Sequence, residues 1–120
     1  MSEERGLQWA IQNGDINSVK EQLSKGASVN EIVKNRAPLH FAADYGQVEV
    51  LKLLLEKGAD VNVKDKYDIT PILAAIYEDH VECVKILLEK GASPDGKTLE
   101  GQSYDEVASD SVKKLLKEFK

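Results

Sequence analysis

A single cysteine, Cys83, rules out a disulfide within the chain and fits a reducing compartment. That thiol and two scattered histidines, His40 and His80, are too few for an ordinary structural zinc site. No apolar run approaches the roughly 20 residues that a membrane-spanning helix requires. No glycine-rich phosphate cradle follows a strand. Asp95-Gly96 reads as a turn, because Lys97 and Thr98 are the wrong neighbours for a calcium loop. Basic residues are also short: 16 Lys and Arg against 21 Asp and Glu leave a net charge of -5. They are spread along the chain, unlike the basic stripe of a nucleic-acid binder. The charged start Met1-Ser2-Glu3-Glu4-Arg5 lacks the apolar stretch of a secretory signal. The expected location is the cytosol, with nuclear entry open at this size. What remains is an acidic chain that needs no cofactor or metal, whose partner is expected to be a protein surface of opposite charge.

The composition, 42% hydrophobic and 31% charged over 120 residues, is that of an ordinary folded domain. Internal repetition then sets the architecture. Three segments share one register: 16–26, 48–58 and 81–91, ending at Gly26, Gly58 and Gly91 with spacings of 32 and 33 residues. Within them Leu51, Leu54 and Leu55, and likewise Val84, Leu87 and Leu88, fall at i, i+3, i+4 and form one apolar helical face. The glycines stand where a left-handed helix C-cap is needed.

A second series precedes it. Ala37-Pro38-Leu39-His40-Phe41-Ala42-Ala43 and Thr70-Pro71-Ile72-Leu73-Ala74-Ala75-Ile76 lie 33 residues apart, with degenerate copies at Leu7-Gln8-Trp9-Ala10 and Ser103-Tyr104-Asp105-Glu106-Val107-Ala108. Proline suits the first helical turn, and Thr70 is a natural N-cap before it. The paired alanines keep these helices slim enough for neighbouring units to stack. The polar stretches 63–69 and 96–102 read as hairpins between units.

Thr-Pro-Leu-His-x-Ala at this period resembles the ankyrin signature over essentially the whole chain. The implied fold is an all-α solenoid of four stacked helix-turn-helix units joined by hairpin-like loops, the first and last acting as caps. Approximate units are 1–34, 35–67, 68–100 and 101–120 of one domain. Three departures stand out: a first hairpin one residue short, Leu73 in the histidine slot, and Asp79 in a glycine slot. At the ends, Glu21 and Lys114 replace the inward Leu53 and Ile86, as solvated caps require. Val112, Leu115, Leu116 and Phe119 predict an amphipathic closing helix, so the lysines there read as its solvated back.

No reactive constellation emerges, and the chain reads as non-enzymatic. His40 is expected to brace a hairpin, His80 to serve the turn between paired helices, and Cys83 and Phe41 to fill the core. The concave face implied by the resemblance would carry an aromatic–acidic ridge of Tyr45 and Tyr77 with Asp44, Glu78 and Asp79; exposed tyrosines anchor many interfaces. Trp9-Ala10 followed by Asn13-Gly14-Asp15, Pro38 to Asp44 with Gly46-Gln47, and Ile69-Thr70-Pro71 with Tyr77-Glu78 and His80-Val81 resemble the myotrophin family of small ankyrin proteins. That resemblance implies a monomer that binds heterodimeric actin-capping protein and blocks its basic filament-binding surface. It carries over Trp9, Asp44, Tyr77 and Glu78 as contacts, with Gln12 and Tyr45 in neighbouring slots. The other reading is a general ankyrin adaptor or engineered scaffold with another client, such as a Rel-type transcription factor.

Overall fold

A computed structural model describes residues 6–120; the charged start at residues 1–5 lies outside the described residues. Eight helices follow in order: α1 Leu7–Gln12, α2 Ile16–Ser24, α3 Pro38–Asp44, α4 Val48–Glu56, α5 Pro71–Tyr77, α6 Val81–Glu89, α7 Tyr104–Val107 and α8 Asp110–Glu118. The short helices α1, α3, α5 and α7 stack in one row, and the longer α2, α4, α6 and α8 stack behind them. The array measures 48 × 24 × 20 Å. It is the expected all-helical ankyrin stack.

The local chemistry explains each boundary. Thr70 Oγ1 accepts from the Leu73 amide at 3.4 Å, and Ser103 Oγ from the Glu106 amide at 3.2 Å. A side-chain cap of this kind contributes about 1 kcal/mol. Ala37 has no side chain to cap α3. His40 serves that helix differently, since its Nδ1 accepts the Ala37 amide at 3.1 Å. Its Nε2 then carries the ring proton and donates to the Ile69 carbonyl at 2.6 Å. His40 is fully buried and braces the second hairpin, in agreement with its motif role. Burial holds the imidazole below its ordinary pKa, opposed by the Ile69 carbonyl.

The core runs continuously through the row. Ala42, Ala43, Ala74 and Ala75 are sealed between units, and Val50, Leu51, Leu54, Val84 and Leu87 fill the space behind them. Cys83 is buried, and desolvation pushes its thiol up to about 11, which is the behaviour of a small core residue. Glu21 and Lys114 are exposed where Leu53 and Ile86 are buried, so the two ends are solvated. The closing helix departs from expectation at one position. Val112 and Leu116 are buried, but Phe119 is 39% exposed because it follows the last turn of α8 as its C-cap.

Successive units are also tied by the N-caps of the longer helices. Gln47 Nε2 donates to the Gln12 carbonyl at 2.8 Å, and His80 Nε2 to the Asp44 carbonyl at 3.1 Å. Each of these side chains lies over a glycine of the preceding unit. A Cβ on Gly14 would come within 2.5 Å of Gln47, and one on Gly46 within 2.7 Å of the His80 ring. Asp79 holds the same left-handed slot, at φ 56°. The facing cap there is the small Ser109, whose hydroxyl donates to Asp79 Oδ1 at 2.7 Å. The departure from glycine is therefore matched by a smaller partner in the truncated last unit.

Candidate functional site

The face of interest is built by the hairpins and the C-terminal ends of α3 and α5. The second hairpin is closed by Asp65, whose Oδ1 accepts the Tyr67 amide at 2.7 Å and the Ile69 amide at 3.0 Å. The first hairpin closes tightly through Lys34 and Asn35, both left-handed, at φ 53° and 67°. That two-residue turn accounts for its missing residue. Between these hairpins and α5 lies an open hollow of about 310 Å³ that gathers Asp44, Tyr77 and Glu78 with Arg36, Asp65, Lys66 and Tyr67.

Arg36 occupies the floor of the hollow. Its Nη1 donates to Asp44 Oδ2 at 3.3 Å, its Nε lies 3.7 Å from Asp65 Oδ2, and its guanidinium covers the Phe41 ring at 5.3 Å. The Asp65 side chain is only 3% exposed. Asp44 is thus half-buried and already shares its charge with an arginine of the chain itself. Phe41 is buried beneath it, as expected of a gap-filling ring.

Tyr77 and Glu78 end α5 and stand exposed at the rim, Tyr77 at 46%. Burial raises the Tyr77 phenol above its ordinary pKa, with the Glu100 carboxylate adding to the rise and the Thr98 hydroxyl opposing it. The third hairpin therefore also borders this tyrosine. Tyr45, which follows α3 as Glu78 follows α5, is 49% exposed but does not line the hollow. Trp9 and Gln12 line a separate hollow with Glu31 and Val33 at the first unit, both half-buried. Asp79 is exposed, but its carboxylate is engaged by Ser109.

Of the seven residues chosen from the sequence, the hollow brings together Asp44, Tyr77 and Glu78. Sequence reasoning missed Arg36, Asp65 and Tyr67. The signal for the first pair lay in the register, since Arg36 shares its slot with Ile69 and Gln102, and Asp65 with Thr98. A lone cation and a lone carboxylate, each out of type for its slot and on successive hairpins, are candidates to pair. Among the described residues, no group of three or more His, Cys, Asp or Glu side chains could hold a metal ion. None of the described helices is long and apolar enough to cross a membrane.

Comparison with known proteins follows the same lines. A sequence model of ankyrin repeats, in three copies, matches residues 7–98. Myotrophin of Xenopus tropicalis is 53% identical over 53 residues, which cover 43% of this chain and 45% of that protein. Human myotrophin is 46% identical over 45 residues, 37% of this chain and 38% of that protein. Human Rabankyrin-5 is 38% identical over 73 residues, 60% of this chain but 6% of that protein. The matched segments thus span less than half the length of these relatives. The fold they share is a protein-interaction fold. The chain belongs to the ankyrin-repeat family, and within it resembles myotrophin.

Proposed function

We propose that this chain, as one domain of four units, binds heterodimeric actin-capping protein and inhibits barbed-end capping by steric occlusion. The contact set is Trp9, Gln12, Asp44, Tyr45, Tyr77, Glu78 and Asp79, and the setting is the cytosol. The observation that carries the reading is the exposed Tyr77–Glu78 pair at the rim of a groove that also holds Asp44. A tyrosine offers a rigid amphipathic anchor, and the adjacent carboxylate selects a cation on the partner. An acidic chain, at net charge -5, meets a basic filament-binding surface with complementary sign.

Within the contact set the residues differ in availability. Glu78 makes no ion pair among the described residues, whereas Asp44 is held by Arg36 and Asp79 by Ser109. Glu78 and the exposed Asp79, whose Ser109 partner is a neutral hydroxyl, therefore supply most of the available charge. The experiment is barbed-end elongation of actin in the presence of capping protein. Added chain should slow capping, and raising the salt should weaken the effect because exposed charges are screened. Unchanged capping at tens of micromolar chain would remove the reading, and capture of a different client would favour an adaptor role.

A further inference from the structure

The loop after each longer helix repeats one small device. Ser28, Asp60 and Ser93 share a slot, two residues after Gly26, Gly58 and Gly91. In each loop the slot's side-chain oxygen accepts the backbone amide two residues on: Asn30 at 3.1 Å, Asn62 at 3.0 Å and Asp95 at 3.2 Å. An asparagine of the preceding unit holds the slot's own backbone. Asn30 Oδ1 accepts the Asp60 amide at 3.0 Å, and Asn62 Oδ1 the Ser93 amide at 3.1 Å. The Ser93 backbone is thus fixed while the residue stands exposed, and its hydroxyl donates to the Asp95 carbonyl of the same loop at 2.8 Å. The third loop differs at the next position, where Pro94 replaces Val29 and Val61. Proline has no amide hydrogen and biases the residue before it toward extended backbone. Ser93 also borders an open hollow of about 630 Å³ between the second and third hairpins, with Asn62, Lys64, Lys97 and Tyr104 around it. Neither lysine forms an ion pair among the described residues. The carboxylates there are Asp68 and Asp95, the second already 3.6 Å from Lys120. None of the seven contact residues above lines this hollow.

We propose that Ser93 is a phosphorylation site for a proline-directed protein kinase, and that Lys64 and Lys97 receive the phosphate. Ser93 Oγ attacks the γ-phosphorus of a magnesium-bound nucleoside triphosphate. The new O–P bond forms as the β–γ bridging P–O bond breaks, the nucleoside diphosphate leaves, and the hydroxyl proton passes to the base of the kinase. The fold accepts the product, because Asp60 carries a permanent negative charge in the same slot of the preceding unit. A phosphoserine oxygen can keep the bond to the Asp95 amide, as the Asp60 carboxylate does with Asn62, and only the donation to the Asp95 carbonyl is lost. The added dianion brings three acceptor oxygens to a hollow that holds two unpaired ammonium groups. The site is separate from the Tyr77 hollow and does not depend on the partner proposed above.

The test incubates the full chain with a proline-directed kinase and magnesium ATP, and locates the phosphate by peptide mass spectrometry. One phosphoryl group on Ser93 is expected, with unchanged circular dichroism. Ser93→Ala should take up none. Pro94→Val, which copies the other two loops, should keep the fold and slow the transfer by roughly tenfold or more. Phosphorus NMR of the modified chain then follows the phosphate through its second ionisation. Lys64 and Lys97 should hold that pKa below its ordinary value of about 6, and the double variant Lys64→Gln/Lys97→Gln should return it there. Phosphate on other serines, equal transfer to Pro94→Val, or no transfer to the folded chain would overturn the site. An unshifted or raised phosphate pKa would overturn the role of the two lysines.

Discussion

Replacing Arg36 with methionine should destabilise the array through charge alone, since the aliphatic stem is largely kept. The Asp44 pair, at 3.3 Å with a quarter to a third of each side chain exposed, is worth up to about 1 kcal/mol. The Asp65 carboxylate is 3% exposed and loses its one neighbouring cation, but keeps two backbone amides. Stripping one partner from such a buried group costs about 1–3 kcal/mol, and the remaining amides hold the loss near the lower end. The cover on Phe41 adds about 0.5 kcal/mol, partly replaced by the methionine sulfur. Against these stands a relief, because Arg36 Nε is buried without a hydrogen-bond partner. The net expectation is about 2 kcal/mol, or roughly 6–10 °C in Tm for a domain of this size. Urea denaturation followed by far-ultraviolet circular dichroism reads it directly. Asp65→Asn in the same background should be milder than Asp65→Asn alone, with a coupling of about 1 kcal/mol. An Arg36→Met variant within 0.5 kcal/mol of the parent, with no coupling to Asp65, would refute the account of the groove floor.

Other expectations follow from single features. His40 has its folded pKa held below the ordinary 6.5 by burial, so the unfolded chain takes up the proton first. Stability is then full above about pH 6.5 and falls as the pH drops toward the folded value, a slope that His40→Leu should lack in denaturation curves at pH 7.5 and 5.5. Asp79→Gly in the parent should be nearly neutral, exchanging left-handed strain for the lost Ser109 bond. In a Ser109→Ala background it should stabilise by about 1 kcal/mol, read as a rise in the urea midpoint. Gly46→Ala should lower stability by about 2 kcal/mol or more, because φ is 66° and the new Cβ meets the His80 ring at 2.7 Å; thermal melts check this.

The stack itself was legible because the motif residues answer to packing inside one unit. Pro38, Thr70, the alanine pairs and Gly58 each satisfy a local demand of helix start, helix girth or helix end, and those demands recur at a fixed period. The groove was legible only in part. Tyr77 and Glu78 could be placed from helix register, since Tyr77 is the last residue of α5 and Glu78 its C-cap. Arg36 could not be read in the same way, because its partners Asp44 and Asp65 come from different elements, the end of α3 and the second hairpin, and its slot is otherwise filled by Ile69 and Gln102. Tyr67 sits at a hairpin tip where packing imposes no residue type, so no periodic pattern marks it. The Asp79 departure became intelligible only beside Ser109, a residue from the truncated unit that the repeat alignment leaves unpaired.

The central claim is that Tyr77 and Glu78 meet the partner and leave the fold alone. Titration calorimetry of capping protein into the parent chain and into Tyr77→Ala/Glu78→Ala measures that claim. The variant should lose about 2 kcal/mol of binding with an unchanged melting curve. Equal affinity for both chains, or a variant that binds poorly because its helices have melted, would contradict it.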